Sequence, residues 1–366
     1  MKVVLFAALN FGNLFMSAAQ EAIQQTNALK HYDIIQYASL SGYGPQNIIL
    51  LDNNGDILLA CKAGITEGAL KTVGITYGES QLVLLEAWRL ILRNGDTLKT
   101  LVPILDSTET HTLRAYTKHV AASVCDSTVT LVRALKQHLD GIKRSRNTYS
   151  VMFSYVIDGL VWRYLEGQKL LTRRTIDAER PFWAGEVWAL YRPRTFSCGT
   201  NSISDQGISI NVNWSDASIP KMLPFVADFK NLGRMFDDYT KSGRVVDTAA
   251  KRIFSPFNLF DPNGEFTIPT ITEVKSNKLY SVSVELSNRI AQVVLRTLDL
   301  AFLSTKYNFR DAQQTLVIVY HEIMWDLMDA YENKGLLTKP VAFADPGHTR
   351  SSDISDLVFI VRHNKP

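Results

Sequence analysis

The residues best suited to chemistry lie in two places. The first is His321-Glu322-Ile323-Met324-Trp325-Asp326-Leu327-Met328-Asp329. On a helix, Glu322, Asp326 and Asp329 stand at i, i+4 and i+7, so three carboxylates share one face, with His321 about 100° away. Such a stripe suits a divalent cation or acid–base work. However, the metalloprotease pattern needs a second histidine four residues after the first, and Trp325 stands there. A dinuclear helical bundle needs a matching Glu-x-x-His on a partner helix, and the helix expected over 283–304 offers only Glu285 and Asp299. Arg289 and Arg296 of that helix are spaced to neutralise the stripe. An ion-paired face is therefore expected, with no metal and no cofactor.

The second place is the stretch 133–198, where twelve Lys or Arg face six Asp or Glu, a local charge of +6 in a chain whose total is +3. Lys143, Arg144 and Arg146 form one cluster, Arg173 and Arg174 a second, Arg192 and Arg194 a third. Trp162, Trp183 and Trp188 lie among them, with Tyr149, Phe153, Tyr155, Tyr164, Phe182, Tyr191 and Phe196. Cations aimed at phosphates, with flat rings on which bases stack, are what single-stranded nucleic acid requires. The competing reading is a solvated basic surface over a buried aromatic core.

Little else points to catalysis. The sequence has no Gly-x-Ser-x-Gly elbow, no GxGxxG and no GxxxxGK[ST] phosphate loop. The seven histidines are scattered, and His111 and His119 fall eight apart in a segment that reads as strand. Ser197-Cys198-Gly199 would expose a thiol only if the turn were open. Three widely spaced cysteines make no disulfide framework or zinc site, which fits a reducing compartment.

The elements that must hold these residues follow from periodicity and breakers. A helix is expected over 1–30, where Asn10, Gly12 and Asn13 interrupt the apolar run and argue against a cleaved signal peptide. No apolar run is long enough to cross a membrane. Strands are expected at 33–40 and 47–65, the latter folded into a hairpin about Asn53-Asn54-Gly55-Asp56. A helix follows at 77–93, stopped by Asn94-Gly95. Strand-like alternation then covers 98–105 and 109–124, and a helix runs from Ser127 to Gly141. Helices are expected over 150–166, 172–179 and 183–191, and a strand at ISINVNW, 208–214, within a Ser/Asn-rich excursion over 195–220. Helices over 283–304 and from Asp311 to about Asn333, capped by Asp311 with Gln314, form an antiparallel hairpin ahead of a strand at 356–363.

The fold class is thus α-rich mixed α+β: a helical core, a few short strands and a C-terminal antiparallel helical hairpin. The chain divides into a mixed part (1–140), a basic aromatic-rich part with the polar excursion (141–270), and the helical hairpin with its tail (271–366), unless these form one continuous domain. The function expected is that of a self-assembling structural protein, capsid- or nucleocapsid-like and not an enzyme, that packages nucleic acid. RNA bound non-specifically is the expected partner, alongside further copies of the chain, in a virion or the cytoplasm and with no membrane. Lys143, Arg144, Arg146, Arg173, Arg174, Arg192 and Arg194 would hold the phosphates. The alternatives are a nucleic-acid-binding regulator or partner-binding module acting through helices at 150–192, and an enzyme with a dispersed site.

Overall fold

This computed structural model describes residues 28–363 apart from 197 and 206. The helix expected over 1–30 therefore lies outside the described residues, save for a 3₁₀ turn at Ala28–His31. Strand β1 (Tyr32–Leu40) follows as its composition predicts. The hairpin expected about Asn53–Asp56 is instead a pair of helices, α1 (Pro45–Ile49) and α2 (Asn54–Ala60). Ile57, Leu58 and Cys61 bury one helical face, and buried Asn54 donates its Nδ2 to the Ile48 carbonyl at 2.8 Å. The Asn-rich turn thus joins helices, not strands.

Next come β2 (Ile65–Thr66), α3 (Glu67–Thr72), α4 (Glu79–Ala87), β3 (Ile91–Asn94) and β4 (Thr97–Thr100), the strands forming a sheet of order β2-β4-β3. The helix expected to reach residue 93 ends at Ala87, because Arg89 turns the chain with φ +53°. Gly95-Asp96 is the tight turn of the β3–β4 hairpin, closed by the Asn94–Thr97 pair, with Gly95 taking φ +62°.

After β5 (Ile104–Leu105) comes the largest departure. Residues 107–141 form one helix, α5 (Ser107–Gly141), where alternating strands were expected up to 124. Leu113, Thr117, Val120, Val124, Thr128, Val132, Leu135 and Leu139 are all buried at helical spacing. Asp106 and Glu109 close a reciprocal capping box, each bonding the other's backbone N–H at 2.8 Å. His111 and His119 are exposed on this helix.

The helix expected over 150–166 is present as a π-helical stretch (Val151–Leu160) continued by α6 (Val161–Gly167), and it is deeply buried. Residues 172–179 are not helical, and 183–191 is strand β6 (Trp183–Tyr191). The correction at β6 has a clear cause. In the sheet β1-β6-β5 the central strand is covered on both faces, so it reads as a continuous apolar run without period-2 alternation. Val187 and Ala189 enter one hydrophobic core, with Leu29, Ile57, Leu82 and Leu98, while Trp188 and Leu190 enter the other, with Leu113, Tyr320 and Leu357.

The Ser/Asn-rich excursion forms β7 (Gly199–Asp205) and β8 (Ile208–Trp214), followed by α7 (Ile219–Val226), α8 (Phe229–Ser242) and α9 (Thr248–Phe254). Strand β9 (Thr270–Thr272) precedes α10 (Lys278–Thr297), α11 (Leu300–Tyr307), α12 (Ala312–Asn333) and β10 (Val358–Arg362); the second large sheet runs β7-β8-β10-β9. Extended Leu298 breaks the expected 283–304 helix, and Asp299 recaps α11 by accepting from the Phe302 N–H at 2.9 Å. Asp311 caps α12 as predicted, accepting from the Gln314 N–H at 2.7 Å. The long helices α10 and α12 both pack on α5. The result is the helix-rich mixed α+β architecture expected.

Candidate nucleic-acid interface

Each of the three basic clusters is engaged differently. Lys143 is exposed at the end of α5, with φ +58°. Arg144 donates Nη2 to the Phe266 carbonyl at 3.0 Å, and Arg146 pairs with Asp356 at 3.1 Å. Arg173 is exposed and its side chain donates to Thr175 Oγ1, whereas Arg174 binds Glu166 and lies 4.2 Å over the Tyr37 ring. Arg192 is exposed beside Tyr191. Arg194 is withdrawn from solvent, 2.8 Å from Glu322 and 3.1 Å from Asp326. Among the described residues no hydrogen bond or ion pair joins one cluster to another.

The carboxylate stripe on α12 explains Arg194. Glu322 and Asp326 are buried, Asp329 is exposed, and the neutralising cations are Arg194 and Arg114 (2.9 Å to Glu322). The expected Arg289 and Arg296 are exposed on α10 instead. Burial would raise the Glu322 carboxyl, but the two guanidiniums outweigh it and hold the group below its ordinary value. His321 sits between Trp188 and Trp325, and burial lowers it to about 4, so it is neutral at physiological pH. Among the described residues no group of three or more His, Cys, Asp or Glu is placed to hold a metal. Cys198 is buried, and desolvation pushes its thiol well above the ordinary range, which disfavours a nucleophilic role.

A further group of cations lies elsewhere, in a cleft of about 540 Å³ lined by residues of both hydrophobic cores. Lys62 follows α2, Arg89 follows α4, Lys99 stands on β4, Arg180 precedes β6 and Arg310 precedes α12. These five cations face two carboxylates, Glu109 and Glu186, leaving a surplus of three positive charges. Both carboxylates are already neutralised, Glu109 by Lys62 at 2.8 Å and Glu186 by Arg310 at 2.5 Å with Gln314 Nε2 at 2.6 Å. Among the described residues no carboxylate pairs with Lys99, Arg89 or Arg180. Arg89 is oriented by the Glu179 carbonyl, 2.6 Å from its Nη2.

An aromatic ledge stands beside these cations. Phe182, 41% exposed, lies flat on Trp88, with ring centroids 5.2 Å apart and planes within 7°. The Trp183 indole N–H donates to the Trp88 carbonyl at 2.9 Å and locks the two segments together. An exposed ring, already supported from behind, next to unpaired cations can take both parts of a nucleotide. Sequence reasoning named Phe182 and Trp183 within the basic stretch, which also spans Arg180, but singled out none of Lys62, Arg89, Lys99, Arg180 and Arg310. Lys62, Arg89, Lys99 and Arg310 are scattered between positions 62 and 310 and share no spacing, so only tertiary structure gathers them.

Two other arrangements carry less. Helices α3 and α4 with the β3–β4 hairpin have helix–turn–helix order, yet α4 carries no Lys or Arg, and its exposed side chains include Glu79 and Val83. Ser209 Oγ lies 2.5 Å from His363 Nε2, and His363 Nδ1 lies 3.0 Å from Glu273, a relay-like order. Ser209 is only 3% exposed in mid-strand, and Arg163 already neutralises Glu273, so the trio reads as a clasp for β10. Comparison of the chain with family models, with curated proteins and with solved structures returns no match.

Proposed function

We propose that this chain is a self-assembling structural protein that coats single-stranded nucleic acid, RNA in the first instance, non-specifically and without catalysing a reaction. The observation that carries this is the cleft, with five cations, only two carboxylates (both neutralised), and the Phe182–Trp88 ledge alongside. Phosphates would sit on Lys62, Arg89, Lys99, Arg180 and Arg310, and a base on Phe182. Exposed Lys143, Arg173 and Arg192 would add to the long-range field, whereas Arg194, Arg174, Arg146 and Arg144 are each engaged by a carboxylate or carbonyl of the chain.

Copies would meet through apolar surface on the smaller core's unit. Tyr43, Leu51, Val73, Val83, Leu92 and Leu101 are all exposed there by 41% or more. The apolar sides of α10 and α12 are buried against α5 and leave no surface for such contacts. No helix among the described residues is long and apolar enough to cross a membrane. A virion or the cytoplasm is the setting this reading implies.

The test is light scattering in line with size-exclusion chromatography, with absorbance at 260 and 280 nm in low and high salt. A large particle carrying 260 nm-absorbing material that salt releases is the expected result. A monomer or dimer with a protein-like ratio at both salts would overturn the proposal.

A further inference from the structure

Strand β1 lies at the edge of its sheet, hydrogen-bonded on one side only. Arg192 N–H donates to the His31 carbonyl and Ser41 N–H to the Phe182 carbonyl, and the register runs unbroken between those ends. Odd-numbered residues of β1 therefore face β6, and Gln36 and Ala38 aim their backbone N–H and C=O outward. Neither backbone has a hydrogen-bond partner among the described residues. Natural edges are blunted by lysine, proline or bulges, and Tyr32–Leu40 contains none of these.

A cleft of about 420 Å³ opens along this edge, lined by Gln36, Tyr37, Ala38, Asp158, Trp162 and Glu166 among others. The Gln36 Oε1 is itself buried without a partner. Asp158 accepts one hydrogen bond, from the Trp162 indole N–H at 3.2 Å, and forms no ion pair among the described residues. The other charged groups of the cleft are already matched: Arg163 to Glu273, and Arg174 to Glu166. Neutral His321 adds no positive charge. A half-buried carboxylate with no cation favours a ligand that brings one.

We propose that the outer edge of β1 at Gln36–Ala38 is a docking site for an extended peptide of a partner protein, which adds as a further strand and seats a lysine or arginine side chain against Asp158. Main-chain hydrogen bonds supply affinity in this mode, and the side-chain pocket supplies selectivity. The proposal is independent of the basic cleft, and its failure would leave the nucleic-acid reading intact.

The probe is a random dodecapeptide display library selected against the full chain. Recovered sequences should alternate β-branched residues and carry Lys or Arg at one fixed position. Their synthetic forms should bind Ala38→Pro and Asp158→Asn at least tenfold more weakly than the wild type. Proline at 38 deletes only an outward N–H on an edge strand, and Ala38→Ser, which keeps that donor, should bind normally. A second measurement does not depend on any variant folding: N-methylation of alternate peptide residues should abolish binding in one register and spare it in the other. No recovered peptides, no fixed basic position, or indifference to both Ala38→Pro and N-methylation would overturn the proposal. So would a loss of oligomer size in Ala38→Pro, because the occupant would then be a second copy.

Discussion

Replacing Lys99 and Arg180 together with alanine tests the basic cleft most directly. Neither side chain is engaged with a carboxylate among the described residues, and Lys99 is exposed, so the fold should tolerate both changes. Each phosphate neutralised on a single strand contributes about 0.7 to the slope of log K against log salt. Losing two cations should therefore flatten the slope by about 1.4. At 0.1 M salt the same relation gives ~25-fold weaker binding, shrinking towards none near 1 M. Neighbouring cations cannot compensate over distance, since the screening length at 0.1 M is about 10 Å. Anisotropy of a labelled oligouridylate titrated across a salt series reads both quantities. An unchanged slope with unchanged affinity would refute the cleft as the phosphate path. A loss that is equal at every salt would show that the two cations act through the fold.

Other residues separate the remaining forces. Phe182→Ala should weaken oligonucleotide binding by about 1–3 kcal/mol while leaving the salt slope unchanged, because it deletes a stacking face and not a charge. Arg194→Met should destabilise the fold by about 3–5 kcal/mol in chemical denaturation, since it leaves buried Asp326 without a cation and Glu322 with Arg114 alone. For Asp158, burial raises the carboxyl from 3.8 to about 7, against the opposing Trp162 hydrogen bond. Its folded pKa lies above the unfolded one, so the native state holds the proton more tightly. Its contribution to stability should fall as pH rises from about 4 to about 7, and Asp158→Asn should remove that fall in a series of melts across this window.

Where local chemistry was sufficient, the sequence was readable. The Asp311 cap, the strand at ISINVNW and the terminal strand all appear where composition and breakers put them. The failures share a cause. At 107–124 the Asp106–Glu109 capping box was present in the sequence, but Thr108, Thr110 and Thr112 alternate locally and masked the longer helical period. At 183–191 burial of both faces erased the alternation that marks a half-exposed strand. At 53–56 the turn signal was displaced: the chain turns at Asp52, with φ +47°, and Asn54–Asp56 open α2 instead of linking two strands. The candidate site was half legible. Arg180 and Phe182 lay in a stretch conspicuous for its charge, whereas Lys62, Lys99 and Arg310 become neighbours only when β4, β5, β6 and the α11–α12 connection converge.

That convergence makes one glycine decisive for both proposed sites. Gly185 on β6 lines the basic cleft and pairs with Ala38, which lines the open edge of β1. The two sites are thus joined through a single two-stranded ribbon. Gly185 has φ +128°, and a Cβ there would sit 2.0 Å from the Tyr37 carbonyl oxygen, an approach no side chain permits. Gly185→Ala must push β1 and β6 apart at this point, costing on the order of 1–3 kcal/mol for the backbone conformation alone. It should weaken oligonucleotide and peptide binding together. Gly167→Ala, with open space around it, should change neither. Loss of one activity with the other intact in a folded Gly185→Ala protein would show that the ribbon does not connect the two sites.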